Sequence, residues 1–171
     1  FVAGGATQAL QFNLSTAYDI TTATFAVGAA LPSFAGFNRA MKLSSDGTLL
    51  FVSSSDGKLY KYSLSSAFDL NSTLTKISTA TLYIGEQDFL ISSDGTKLIW
   101  RSSGTTLQQR TYSVPFDFNS SSTIIYANSV IPGKTSNSIG GLAFNNDESK
   151  VYEAWYSNTV IGQFGMTCSI Q

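Results

Sequence analysis

The stretch SSDGTLLFVSSSDGKLYKYSLSSAFDLNSTLT at residues 44–75 returns in nearly the same order as SSDGTKLIWRSSGTTLQQRTYSVPFDFNSSST at 92–123. The chain also opens part-way through this pattern, with FVAGGATQALQFNLSTAYDITTATF. Aligning Phe1, Phe51, Ile99 and Tyr152 gives spacings of 50, 48 and 53 residues. Self-similarity at such a period implies stacked sheets, propellers or arrays, with about four strands to a unit. A β-helix needs shorter coils, and a sandwich has no reason to repeat its sequence. The expected fold is therefore all-β: a β-propeller of four-stranded antiparallel blades, about three and a half in this chain. The units fall near 1–22 (a half blade), 23–72, 73–122 and 123–171, as a single propeller domain or propeller fragment.

Local signals agree with the period. Leu49–Val52, Leu98–Trp100 and Val151–Ala154 are continuously apolar or nearly so, as in strands covered on both faces. Before them stand Asp46-Gly47, Asp94-Gly95 and the degenerate Asn146-Asp147. Asp-Gly between apolar runs predicts a hairpin, because glycine accepts a positive φ and the aspartate bonds its own backbone. Alternating strands follow: Leu10, Phe12 and Leu14, then Tyr60, Tyr62 and Leu64. Within a unit the order reads Thr73–Thr81, Phe89–Ser92, Lys97–Trp100, Leu107–Val114. No segment of comparable length carries a helical period.

The pattern SSDG-T/K-L-hydrophobic, followed by YSLSSAFDLNST, resembles the repeat of bacterial, archaeal and phage surface β-propellers. These belong to the broad lactonase-like class, loosely related to the YVTN repeat. The resemblance covers almost the whole chain and implies a ring of four-stranded blades, often with a binding role at one mouth of the channel. Its members include enzymes, adhesins and virion parts, so it carries over no catalytic residue. The last unit departs from the pattern, ending in TCSIQ where the others have Ala-Phe-Asp or Pro-Phe-Asp.

Phe1 aligns with the third strand of a unit, which gives two strands and then three full units. An open propeller would expose sheet edges and apolar blade faces. The strands at Phe1–Gly4 and Ala9–Leu14 are thus expected to be completed from outside residues 1–171, by an upstream segment or by another protein chain.

Composition narrows the function. Ten Lys+Arg against eleven Asp+Glu leave no basic field for nucleic acid or an anionic bilayer. No apolar run is long enough to insert in a membrane as a helix. The charged fraction is 12%, about half the usual ~25%, and 26 Ser and 18 Thr take its place. A hydroxyl-rich surface of this kind suits an extracellular, cell-surface or virion setting. With no histidine, Ser-His-Asp and Cys-His catalysis and histidine-ligated metals are excluded. Cys168 is single and near the end, where a small terminal hydrophobe is the expected role.

Asp19, Asp69 and Asp117 recur at one repeat position, in AYD, AFD and PFD. Either the ring of carboxylates binds a cation, or each accepts backbone N–H bonds to hold a turn; the turn is expected, and no metal or cofactor. Trp100 is expected in the core. Trp155, Tyr156 and Asn158 combine aromatic faces with an amide and form the candidate binding set, for a glycan or a protein. Asn13, Asn71 and Asn119 are sequons and candidate glycosylation acceptors, though nine Asn in so hydroxyl-rich a chain give about as many by chance. The function expected is a surface module with a structural or adhesive role and no enzyme activity. The alternative is a propeller enzyme of the lactonase or lyase kind.

Overall fold

A computed structural model describes residues 2–4, 7–82, 88–103, 106–128, 139–155 and 161–165. Fourteen strands occur among them, and the helical content of these residues is a single 3-10 turn at Ile20–Thr22. The strands form four antiparallel sheets. The first holds β1 (Val2–Gly4), β2 (Gln8–Leu14) and β3 (Ala23–Ala30). The second holds β4 (Asn38–Leu43), β5 (Leu49–Ser54), β6 (Lys58–Leu64) and β7 (Leu74–Thr81). The third holds β8 (Phe89–Ile91), β9 (Lys97–Ser103), β10 (Thr106–Tyr112) and β11 (Ser122–Asn128). The fourth holds β12 (Ile139–Phe144), β13 (Lys150–Trp155) and β14 (Ile161–Gly165). Within each sheet the strands lie side by side in chain order.

The fold class is the one expected, but sequence unit and sheet are out of phase by one strand. The sequence units open on the strand type of β7. In the structure β7 pairs with β6 before it, Leu64 opposite Leu74, and so closes the second sheet. By the same pairing β3 belongs to the first sheet, with Leu14 opposite Ala23. The strands therefore divide as three, four, four and three, where the units divide them as two, four, four and four.

The chain forms two compact units, Phe1–Tyr83 and Ile84–Gln171. In the first, Ala9 and Leu31 meet Leu50, Val52, Tyr60, Tyr62, Leu64 and Leu70 of the second sheet and its loop, with Val27 and Ala29 at the margin. Small side chains on one sheet thus receive large ones from its neighbour. Burying each large side chain contributes on the order of 1.5–3 kcal/mol. Two amide bonds cross the seam: Asn38 Nδ2 donates to the Gln8 carbonyl at 2.6 Å, and Leu70 N donates to Gln11 Oε1 at 2.8 Å. The second unit is built likewise, from Leu90, Ile99 and Leu107 against Leu142 and Val151, with Phe144 beside them.

The hairpin turns follow their sequence. Gly47 N donates to Ser44 O at 2.9 Å with φ +72°, and Gly95 N to Ser92 O at 2.8 Å, also with φ +72°. Asp46 Oδ1 accepts from Thr48 N at 3.0 Å, and Asp94 Oδ1 from Thr96 N at 2.9 Å. In the fourth sheet Glu148 takes the glycine position and adopts φ +57°, an uncommon conformation for a residue with a side chain.

Candidate functional site

The feature built alike in three sheets is the loop between the third and outermost strands, residues 15–22, 65–73 and 113–121. Each is organised by the repeat aspartate. Asp19 Oδ1 accepts from Thr21 N at 3.0 Å, Asp69 Oδ1 from Asn71 N at 2.8 Å, and Asp117 Oδ1 from Asn119 N at 3.1 Å. The aspartate carbonyl then accepts a hydroxyl three residues on: Thr22 at 2.8 Å, Ser72 at 2.6 Å, Ser120 at 2.7 Å. The carboxylate, the carbonyl and the hydroxyl together lock the loop from within. These aspartates hold turns, as their setting predicts. The Thr21 hydroxyl and N–H hold the Asp19 carboxyl below its ordinary value. In the hairpins, Ser44 and Thr48 lower Asp46, Ser92 leads in lowering Asp94, and Ser149 leads in lowering Asp147.

The aromatic before each aspartate has a role that the sequence reading missed. Tyr18, Phe68 and Phe116 all have left-handed backbones, φ +63°, +58° and +58°. That conformation turns the Phe68 ring onto Gly47 of its own sheet, and Phe68 N donates to Gly47 O at 2.9 Å. Phe116 does the same over Gly95, its N–H bond being 2.8 Å. A Cβ at Gly47 would lie 2.3 Å from the Phe68 ring, and one at Gly95 2.5 Å from the Phe116 ring. Glycine is required at both turns for its positive φ and for this close approach. A signal was present in the sequence: each aromatic follows its glycine by 21 residues, whereas Ser169 follows Glu148 by the same distance. Aromatic and glycine occur together in the second and third sheets.

The loops display Asn71 and Asn119 as exposed side chains, next to the exposed Phe68 and Val114. Asn13 is exposed too, but in β2, where its Oδ1 accepts from Gln11 Nε2 at 3.3 Å. Trp155 closes β13 with its backbone opposite Ile139. Tyr156 and Asn158 lie outside the described residues, as does Cys168. Trp100 is fully buried, and the Arg110 guanidinium lies 5.4 Å from its ring centroid. Neither Trp100 Nε1 nor Arg110 Nε has a hydrogen-bond partner among the described residues. Burial pushes the Tyr112 phenol up, against the opposing pull of Arg110.

Two carboxylates were also missed. Glu153 is fully buried at the register position that Val52 and Trp100 hold in their sheets. Asp88 precedes β8 and accepts from Leu142 N at 2.9 Å, joining the third and fourth sheets. Among the described residues, no three His, Cys, Asp or Glu gather in a way that could hold a metal ion.

No family model and no curated protein matches the chain in sequence. Solved structures do. A candidate 6-phosphogluconolactonase from Bacteroides uniformis superposes on 94% of this chain and 44% of its own, with a TM-score of 0.56 at 16% identity. The β-propeller domain of Cps50 (Swd1) from Myceliophteria thermophila gives 92%, 49%, 0.57 and 13%. A second candidate 6-phosphogluconolactonase, from Bacteroides fragilis, gives 90%, 43%, 0.51 and 15%. The chain spans less than half the length of each. At these identities the likeness is one of fold alone, that of a β-propeller. It also corrects one expectation. That the chain is not an enzyme does not stand, because chains described as lactonases share its architecture. The missing histidine excludes histidine chemistry only, and a propeller can gather other groups from distant loops.

Proposed function

We propose that this chain is part of an extracellular or surface-presented β-propeller that binds a partner through its Asp-capped loops. The observation that carries this reading is the loop itself, built alike in three sheets and locked by its own hydrogen bonds. A loop stiffened in advance loses little entropy on binding. The loops at 65–73 and 113–121 combine exposed apolar side chains, Phe68 and Val114, with exposed amides, Asn71 and Asn119. That mixture suits a glycan or a protein surface. Trp155, Tyr156 and Asn158 add a second set of the same chemistry. The hydroxyl-rich, weakly charged surface fits a setting outside the cell or on a virion. Asn71 and Asn119 are then glycosylation acceptors wherever the chain passes through a eukaryotic secretory pathway.

The test is a glycan array and a cell-binding assay with the unaltered chain and with Phe68→Ala, Val114→Ser and Trp155→Ala. Binding weakened at least tenfold by a loop variant supports the reading. Binding untouched by all three removes it.

The fold shared with two candidate 6-phosphogluconolactonases favours a second reading, a lactone-hydrolysing propeller. Turnover of a sugar lactone above the spontaneous rate, measured on purified chain by acid release, would replace the binding reading with this one.

A further inference from the structure

Strands β3, β7 and β11 hold one position of the repeat, and among the described residues each stands at the outer edge of its sheet. Two of the three edges are blunted. The ladder shifts between Gln11 and Phe12 against β3, and between Lys61 and Tyr62 against β7, so that Ala26 and Ile77 each stand as an extra residue. A bulge bends its strand and spoils it as a template for further pairing. β7 also carries Lys76, a charge of the kind that keeps edges apart. β11 has neither device. It pairs with β10 along all seven of its residues, from Ser122 opposite Tyr112 to Asn128 opposite Thr106, without a shift. Its sequence, STIIYAN, holds no charge, no proline and no glycine, and Thr123, Ile124 and Ile125 are β-branched. Ser122 and Thr123 are exposed, Ile124 is 38% exposed and Ile125 53%. Adjacent residues of a strand point to opposite faces, so this end of β11 meets solvent on both.

The ladder also fixes which backbone groups point away from β10. Ser113 N donates to Ser121 O at 3.0 Å at the mouth of this hairpin. Opposed residues of an antiparallel pair alternate between bonded and non-bonded. Thr123, Ile125 and Ala127 therefore bond β10, whereas Ser122, Ile124, Tyr126 and Asn128 turn their N–H and C=O groups outward.

We infer that this edge is a dimerisation surface, and that its occupant is β11 of a second copy of the chain, laid antiparallel about a two-fold axis at Ile125. Three observations select that occupant. The outward groups complement themselves: this axis sets Ser122 opposite Asn128 and Ile124 opposite Tyr126, each pair placed to exchange both hydrogen bonds, with no overhang. The strand is uncharged, so two copies bring no like charges together, whereas two copies of β7 would bring two Lys76 ammonium groups into one ladder. Ile125, half-exposed in one chain, meets its own twin at a non-bonded pair, where opposed side chains approach most closely. The contact is isologous and closes at two chains.

Light scattering and sedimentation on the chain at roughly 1–100 µM, which brackets ordinary micromolar association, test this directly. A dimer is expected. Ile125→Lys sets two ammonium groups against each other across the axis and should raise the dissociation constant at least tenfold. Ile124→Pro should do the same by another route: it deletes an outward N–H and none that bonds β10, a position at which an edge strand accepts proline. Ile77→Lys, the same charge change at an exposed side chain of the bulged β7, should leave the dimer unaltered. Circular dichroism checks that each variant folds; should the proline variant fail, Ile125→Lys carries the test, because its side chain is half-exposed. A folded monomer throughout the range would overturn the inference, as would open-ended growth or a dimer indifferent to the folded β11 variants.

Discussion

The seam inside residues 1–83 and the seam inside residues 84–171 are two versions of one joint. The first is aromatic and free of carboxylates among the residues named, with the Lys76 ammonium 4.8 Å from the Tyr60 ring centroid. Tyr60 and Tyr62 fill this seam, the Phe34 ring lies tilted against Tyr60 with centroids 4.7 Å apart, and neutral amides of Asn38 and Gln11 tie the sheets. The second is aliphatic and carries carboxylates. Asp88 takes the Leu142 N–H, Glu148 Oε1 takes the Ser93 N–H at 2.7 Å, and Glu153 is buried where the first unit has Val52. The repeat therefore specifies the joint's geometry and leaves its chemistry free. Large side chains can be exchanged for charge where a carboxylate finds N–H donors, because charge-assisted bonds offset part of the desolvation.

Truncating the aromatic seam should produce the largest effect. Tyr62→Ala removes a fully buried ring, and such deletions cost about 3–5 kcal/mol. Urea denaturation should show the loss, and hydrogen exchange should place it in residues 1–83. Equal loss of protection in both units would mean that the seams are not independent. Burial also pushes the Tyr62 phenol well above its ordinary value, so its absorbance should resist alkaline titration until the unit opens.

Next come the turn glycines, which ask whether the two units share a joint despite their different chemistry. Gly47→Ala and Gly95→Ala each put a Cβ into a ring at positive φ. The left-handed term alone is about 1–2 kcal/mol, and displacing the ring adds to it. The two variants should lose similar stability in denaturant. A large difference would break the equivalence of the turns.

Cross-seam ties should rank below these and should separate the units. Asp88→Ala leaves the Leu142 N–H without its acceptor, at about 1–3 kcal/mol. Gln11→Ala removes a neutral bond, for which ~1 kcal/mol is typical. Thermal melts of the two variants give the order, and a larger loss for Gln11 would contradict the charge-assisted reading.

The smallest difference is expected in acid. Asp19, Asp46 and Asp56 in the first unit, and Asp94 and Asp147 in the second, are held below the ordinary carboxylate value in the folded state. The folded state binds these protons less readily than the unfolded chain. Their stabilisation is present above pH ~4 and lost as pH falls through the folded values. Denaturant midpoints should be flat from pH 7 to 5 and fall below about pH 4, with both units affected. Asp46→Asn should flatten that fall.

What the chain shows in its sequence is what its neighbours along the chain decide. Apolar runs, alternating strands, Asp-Gly turns and Asp-capped loops were legible because a turn's φ and an aspartate's backbone bonds involve residues two or three apart. The period of about 50 residues was legible because each blade solves the same packing problem. Tertiary structure alone decided which sheet β3 and β7 join, since an outer strand reads the same before or after its partner. It also decided that Glu153 is buried in place of a valine, and that Ile20 stands exposed where Leu70 is covered. Those outcomes depend on which surface arrives from the neighbouring blade, and no residue carries that information in its own stretch of chain.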